Sequence, residues 1–149
     1  MGYKLLVNKY KVYDKYLETL YKLNYAHDLK YTPKYRYKVV LNTNADWFHL
    51  VNSNEDIIAL CTVNKNKDKS YEICDVWVEE KFRGHNYSVL LIMNVLYYFG
   101  NTKYYFGNTK SKFKISTTIE NIPAIKSYKK VFGNPVQIDN KNVHFVLFL

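Results

Sequence analysis

The stretch VWVEEKFRGHNYSVLLIMNVL, residues 76–96, joins two different kinds of chain through a turn. Val76, Trp77 and Val78 are strand-forming residues. From Asn86 onward, NYSVLLIMNVLYYF is apolar nearly all round and too long for a strand, which predicts a well-buried helix. Between them KFRGHNYS must turn the chain sharply, with a single glycine, Gly84. Strand, tight turn and helix together can cradle a phosphate on backbone amides and the helix N-terminus. The same shape also serves as a plain connection in a small core. What flanks it decides.

Upstream, SYEICDVWV reads as a strand with Cys74, Val76 and Val78 on one face and Ile73, Asp75 and Trp77 on the other. WFHLVNS and IIALCTVNK precede it, joined by the polar turn NED, and NKNKDK connects them onward, so three antiparallel strands are expected. YKLLVNKYKVY is a first strand. DKYLETLYKLNYAHD carries Tyr16, Leu17, Leu20, Tyr21 and Leu23 at helical spacing behind a capping Asp14. YTPKYRYKVVLNTNAD is broken at Pro33, with a second, shorter helix after it. Downstream, KFKISTTI is a strand and IPAIKSYKKVF a helix, started by Pro123 and stopped by Gly133. VQIDNKNVHFVLFL is a closing hairpin that turns at DNKN.

YYFGNTK occurs twice in tandem, at 97–103 and 104–110. One duplication is not a repeat architecture. It reads as a local insertion in the helix-to-strand connection, either a tolerated surface loop or a contact in a homodimer.

A chain of 149 residues, 48% of them apolar, fits one domain over 1–149 with a proper core. The net charge of +9 favours polyanionic partners, yet the basic residues are dispersed and also fit a solvated surface. No leader pattern and no spanning apolar run is present, so a cytoplasmic protein without membrane contact is expected. Cys61 and Cys74 are too few for a disulfide framework and read as packed thiols near each other across a hairpin. No His/Cys spacing suits zinc, so no metal is expected. His27, His49 and His144 form no triad-like set and read as structural.

The order strand, two helices, three antiparallel strands, helix, strand, helix, hairpin resembles the GNAT family of acyl-CoA-dependent N-acetyltransferases. Two motifs carry the resemblance. In the family a strand ending V-x-P runs through R/Q-x-x-G-x-G/A into a helix; here Val78, Glu79 and Glu80 take the first part. Arg83, Gly84, His85, Asn86, Tyr87 and Ser88 take the second. An Asn after the fifth strand and a helix carrying Ala and then Tyr match Asn121, Ala124 and Tyr128, followed by Phe-Gly. Asn86 and Ser88 depart from the family's glycine and glycine/alanine. Asn adopts the left-handed conformation more readily than other side chains and Ser is small, so the cradle survives.

The resemblance implies an α+β fold with a mixed, mostly antiparallel sheet of six to seven strands flanked by about four helices. It implies acetyl transfer from acetyl-CoA to a primary amine by direct attack in a ternary complex. The turn residues 83–88 would hold the pyrophosphate. The backbones of Val76 and Val78 would meet pantetheine where the strand splays from its neighbour, and the Val76 N–H would polarise the thioester carbonyl. Asn121 would cap its helix and touch the pantetheine arm. Tyr128 would serve the departing thiolate. Glu72 would take the proton of the incoming ammonium, or else is a solvent-facing strand residue. His85 adds charge near the phosphates or is simply exposed.

Two other readings stay open beside this one. Stretches such as KYTPKYRYK interleave lysine with tyrosine, as a nucleic-acid-binding module does, although nucleic acid is not the expected partner. A GNAT fold that binds CoA without catalysis is the other. The acceptor amine is open among polyamines, amino acids, aminoglycosides and protein lysines.

Overall fold

The computed structural model describes residues 2–7, 46–106 and 111–149, without the side chains of Asp75 and of residues 101–106. The two helices expected between Asp14 and Asp46 lie outside the described residues. Among the described residues seven strands form one sheet: β1 (Tyr3–Val7), β2 (Asp46–Asn52), β3 (Ile57–Lys65), β4 (Tyr71–Val78), β5 (Lys112–Thr118), β6 (Gln137–Ile138) and β7 (Asn142–Phe148). Their order is β1-β2-β3-β4-β5-β7-β6. Every neighbouring pair is antiparallel except β4 and β5, which run parallel. Two α-helices follow β4 and β5: α1 (Tyr87–Phe106) and α2 (Ile122–Phe132). Among the described residues no helix is long and apolar enough to cross a membrane.

The hairpin turns are made by short polar side chains. Asn52 Oδ1 accepts the N–H groups of Asn54 and Asp56 at 2.9 and 3.0 Å, so Asn52 turns the chain from β2 into β3. Asp68 does the same between β3 and β4, accepting the Ser70 N–H at 3.0 Å.

One sheet face packs on the helices. Phe48, Leu50, Cys61, Ile73, Phe113, Ile115 and Phe145 are buried there against Leu91, Ile92 and Val95 of α1 and Tyr128 and Phe132 of α2. The other face buries Trp47, Val51, Leu60 and Trp77, with His49 among them. Burial lowers the His49 pKa to about 4, so its imidazole is neutral at pH 7.

Three sequence expectations change. The strict alternation expected along β4 fails, because Ile73, Val76 and Val78 share the helix-side core while Trp77 lies on the far side. The register gives the reason: Leu60 pairs with Trp77 and Thr62 with Cys74, so Cys61 alone faces two residues, 75 and 76. That is a β-bulge, and it flips the alternation in mid-strand. It also puts Cys61 and Cys74 on opposite faces. Second, α1 is not buried all round: Met93 and Tyr97 are 56% and 70% exposed. Only one stripe of the helix meets the sheet.

Third, the first copy of YYFGNTK is helix rather than loop, since α1 extends to Phe106. Phe99 from that copy packs on Phe48, Tyr71 and Phe113, with ring centroids 5.7, 4.5 and 5.7 Å away. Seven residues make nearly two whole turns, so a seven-residue duplication prolongs a helix with its faces within about 20° of register. Deleting Tyr104–Lys110 therefore leaves the core contacts of Phe99 in place. In urea unfolding this deletion is expected to cost less than Phe99→Ala, which removes a packed ring at about 3 kcal/mol. An unfolded or insoluble deletion variant would mean the second copy is structural.

Candidate active site

The pairing of β4 with β5 covers only Tyr71–Ile73 against Phe113–Ile115. Both strands continue, β4 to Val78 and β5 to Thr118. β5 remains paired with β7 along its whole length. A cleft thus opens inside the sheet, starting at Ile73 and Ile115 and widening toward the C-terminal ends of two parallel strands. The bulge at residues 75 and 76 coincides with it.

Val78 closes β4 at the mouth of this cleft. The next residue, Glu79, donates its N–H to the Ile58 carbonyl at 2.8 Å. The Val78 C=O and the Glu79 N–H belong to one trans peptide and point opposite ways, so the Val78 carbonyl points away from β3 and toward the cleft. Arg83 Nε donates to that carbonyl at 2.9 Å, and its guanidinium lies 5.9 Å from the Trp77 ring centroid. A one-turn 3-10 helix, Glu80–Phe82, separates the two. The acids Glu79 and Glu80 here are set against Lys81, Arg83 and, from α2, Lys130.

Gly84 and Asn86 both have positive φ, 84° and 61°. That conformation costs most side chains about 1–2 kcal/mol, and Gly and Asn least. A Cβ built on Gly84 meets no heavy atom within 4 Å, so the space in front of it is open. The Asn86 carbonyl accepts the Leu90 N–H at 3.1 Å, which starts α1. No acidic residue lies in the first turn of α1, so nothing there offsets its positive dipole end. An open approach, two left-handed residues and a bare helix N-terminus fit an anionic group such as a pyrophosphate.

The turn is tied to α2. Lys130 Nζ donates to Asn86 Oδ1 at 2.8 Å, and Ser88 Oγ pairs with Ser127 Oγ at 3.2 Å. Residues 127 and 130 are three apart on one helical face. Asn121 Oδ1 accepts the Ala124 N–H at 3.3 Å, and Gly133, φ 78°, ends the helix with its N–H on the Lys129 carbonyl. Tyr128 is buried on the same side, edge-on to Phe145 at 5.9 Å. His85 is exposed, its ring 6.3 Å from that of Tyr87.

Residues 84–88, Asn121 and Tyr128 therefore gather on the helix side of the cleft, while the Arg83 guanidinium lies beside Trp77, whose ring is on the other face. Glu72 does not join them. Its neighbours Tyr71 and Ile73 face the helices, so Glu72 faces the opposite side, half-buried, between Asn64 and Lys114 in register. Lys114 Nζ itself turns to Asp68 at 3.5 Å.

The sequence reading missed Ser127 and Lys130, although their spacing from Ala124 (three and six residues) puts all three on one helical stripe. His144, expected in no triad-like set, instead lies between Ser116 and Asp139. Ser116 pairs with His144 across β5 and β7, and Ser116 Oγ lies 2.8 Å from His144 Nδ1. His144 Nε2 lies 3.1 Å from Asp139 Oδ2. A separation of 28 residues hid a contact that only the strand register creates.

Residues 10–133 match the Acetyltransferase (GNAT) family, and the chain belongs to it. Solved structures give the same fold at low identity. The chain is similar to spermidine N-acetyltransferase from Vibrio cholerae, solved with CoA and spermine, at 15% identity over 98% of this chain and 95% of that one, TM-score 0.70. It is similar to NAA60 from Arabidopsis thaliana, solved with acetyl-CoA, at 16% identity over 99% of each chain, TM-score 0.67. A GNAT-family acetyltransferase from Staphylococcus aureus Mu50 matches at 12% identity over 99% of each, TM-score 0.69. No curated protein matches the sequence.

The cap at Asn121 sets where α2 begins and so where Tyr128 sits. Asn121→Ala is expected to lower stability by about 1 kcal/mol. Urea unfolding followed by circular dichroism measures this, and an unchanged midpoint would mean that the cap carries no load.

Proposed function

We propose that this protein transfers the acetyl group of acetyl-CoA to a primary amine, by direct attack with both substrates bound. One observation carries the reading: the β4–β5 cleft opens beside a turn in which Gly84 and Asn86 both have positive φ and the approach to Gly84 is open. In this account the amides of residues 84–88 and the N-terminus of α1 hold the pyrophosphate, and Arg83 and Lys130 add positive charge. The Val76 and Val78 backbones meet pantetheine inside the cleft, and the Val76 N–H polarises the thioester carbonyl. Since Arg83 already occupies the Val78 carbonyl, it must share or release it when the arm enters. Asn121 caps α2 and borders the same arm.

Tyr128, on the helix side, donates a hydrogen bond or proton to the departing sulfur. Glu72, on the opposite side, draws in the ammonium and takes its proton directly or through water, because a protonated amine has no lone pair to attack with. No covalent enzyme intermediate is needed. Residues 1–149 act as one domain, and the acceptor is a primary amine.

The cradle is tested by Gly84→Val. A β-branched residue at φ 84° is strained and its side chain fills the open approach. Calorimetry is expected to find acetyl-CoA affinity reduced at least about tenfold (1.4 kcal/mol), in a protein still folded by circular dichroism. Unchanged affinity would remove the cradle from the account. Thermal stabilisation by acetyl-CoA but not by single-stranded DNA would separate this reading from a nucleic-acid module.

Tyr128→Phe keeps the ring against Phe145 and removes only the hydroxyl. Turnover at saturating substrates is expected to fall about 10²–10⁴-fold, with acetyl-CoA affinity nearly constant, because the lost contact is stronger in the transition state. Wild-type turnover, with chemistry shown to limit the rate, would sink the acid assignment.

A further inference from the structure

Ser116, His144 and Asp139 form a hydrogen-bonded line on the sheet face opposite α1 and α2. Ser116 is exposed and is the first β5 residue beyond the segment paired with β4, so it stands where the cleft begins to open. His144 lies beside it on β7, and Asp139 comes from the turn between β6 and β7. Phe113, Ile115, Val143 and Phe145 face the helices, so the alternate residues Ser116 and His144 face away from them.

The hydrogen bonds give the line a direction. Asp139 accepts the N–H groups of Lys141 and Asn142 at 2.8 and 2.7 Å. The Lys141 N–H, His144 and the Asn142 N–H hold its carboxyl at about 2, so it is a carboxylate at neutral pH. A carboxylate only accepts, so His144 Nε2 carries the hydrogen that points to it. Neutral His144 then has its lone pair on Nδ1, facing the Ser116 hydroxyl. Among the described residues, the groups on this face around His144 include Gln137 of β6, opposite it in register, Lys114 of β5, turned to Asp68, and the uncharged pair Thr118 and Asn142.

Resting on the acetyltransferase reading, we propose that Ser116, His144 and Asp139 are a proton-accepting relay for the acceptor amine, an alternative acceptor from the β7 side for the one proton lost before attack, in place of Glu72, whose carboxylate then only draws the ammonium in. The bond to nitrogen forms as the bond to sulfur breaks. If Tyr128 serves the sulfur from the helix side, the amine enters from the other side, where Ser116 is exposed. One ammonium N–H bond breaks and its proton passes to the Ser116 oxygen, while the Ser116 O–H proton moves to His144 Nδ1. The imidazolium is held by Asp139 through Nε2–H. The freed lone pair attacks, the second nitrogen proton ends on the thiol product, and His144 returns its proton to solvent. Ser116 touches the amine; His144 and Asp139 act through it.

Two measurements test this. Nitrogen-15 NMR of histidine-labelled protein, with His144 assigned through His144→Gln, is expected to show neutral His144 as the Nε2–H tautomer. Asp139→Ala should weaken that preference. An Nδ1–H tautomer in the wild type overturns the relay, since Ser116 could not pass a proton to it. Kinetics form the second arm, with amines of different basicity across pH. Ser116→Ala is expected to lower kcat/KM for a strongly basic amine about 10²-fold near pH 7. The defect should shrink at high pH and for weakly basic amines, acetyl-CoA affinity should be unchanged, and Ser116→Thr should restore much of the rate. A defect independent of pH and amine basicity, or no defect, overturns the relay while leaving acetyl transfer standing. A wild type that binds no acetyl-CoA overturns the acetyltransferase reading and the relay with it.

Discussion

The extra residue in β4, where Cys61 faces both residue 75 and residue 76, is the constraint on which the rest depends. Before it, β4 is an ordinary member of the sheet, bonded to β3 on one side and β5 on the other. After it, β4 keeps β3 and leaves β5. A bulged strand bends and twists more strongly than its neighbours. β5 cannot follow because β7 holds it over seven residues. The cleft is the difference between a strand that bends and a strand that is held.

The turn and α2 then become the walls of that cleft. Flipping the alternation brings Val76 and Val78 onto the helix-side core. This fixes the height at which the chain leaves the sheet, and so the position of Gly84 and Asn86. Ser88 with Ser127, and Asn86 with Lys130, lock the turn to α2. Tyr128 is carried on that same helix. A change of register in β4 would therefore displace the Gly84 turn, proposed to hold the pyrophosphate, and the tyrosine together. The two faces also divide the chemistry: the groups proposed for the leaving sulfur lie with the helices, and those proposed for the amine lie across the sheet.

Much of this was legible in the sequence. Asn-Glu-Asp and Asn-Lys-Asn-Lys-Asp-Lys mark the hairpins because short polar side chains bond their own backbone. Pro123 and Gly133 mark the ends of α2 because one lacks an N–H and the other accepts positive φ. Asn86 was readable as a glycine substitute for the same conformational reason, and its φ of 61° agrees. The bulge was not readable, because YEICDVWV alternates as well without it as with it. Only the register against β3 reveals the extra residue. The exposed side of α1 was hidden because Met93 and Tyr97 are as apolar as the stripe that is buried. The Ser116–His144 contact was hidden because a cross-strand pair is set by register, which local pattern does not encode. The segment before Asp46 was read as two helices, and it lies outside the described residues.

The central claim is that the cleft between β4 and β5 receives the acetyl-bearing arm while the Gly84 turn holds its phosphates. Amide hydrogen exchange, read residue by residue with and without acetyl-CoA, tests it most directly, because it reports on the backbone groups themselves. The account predicts added protection at Val76 and Val78 and at residues 84–88, with none at Tyr71–Ile73, which are already paired to β5. Saturating acetyl-CoA that leaves Val76, Val78 and the 84–88 amides unchanged, or protects them no more than Tyr71–Ile73, would contradict it.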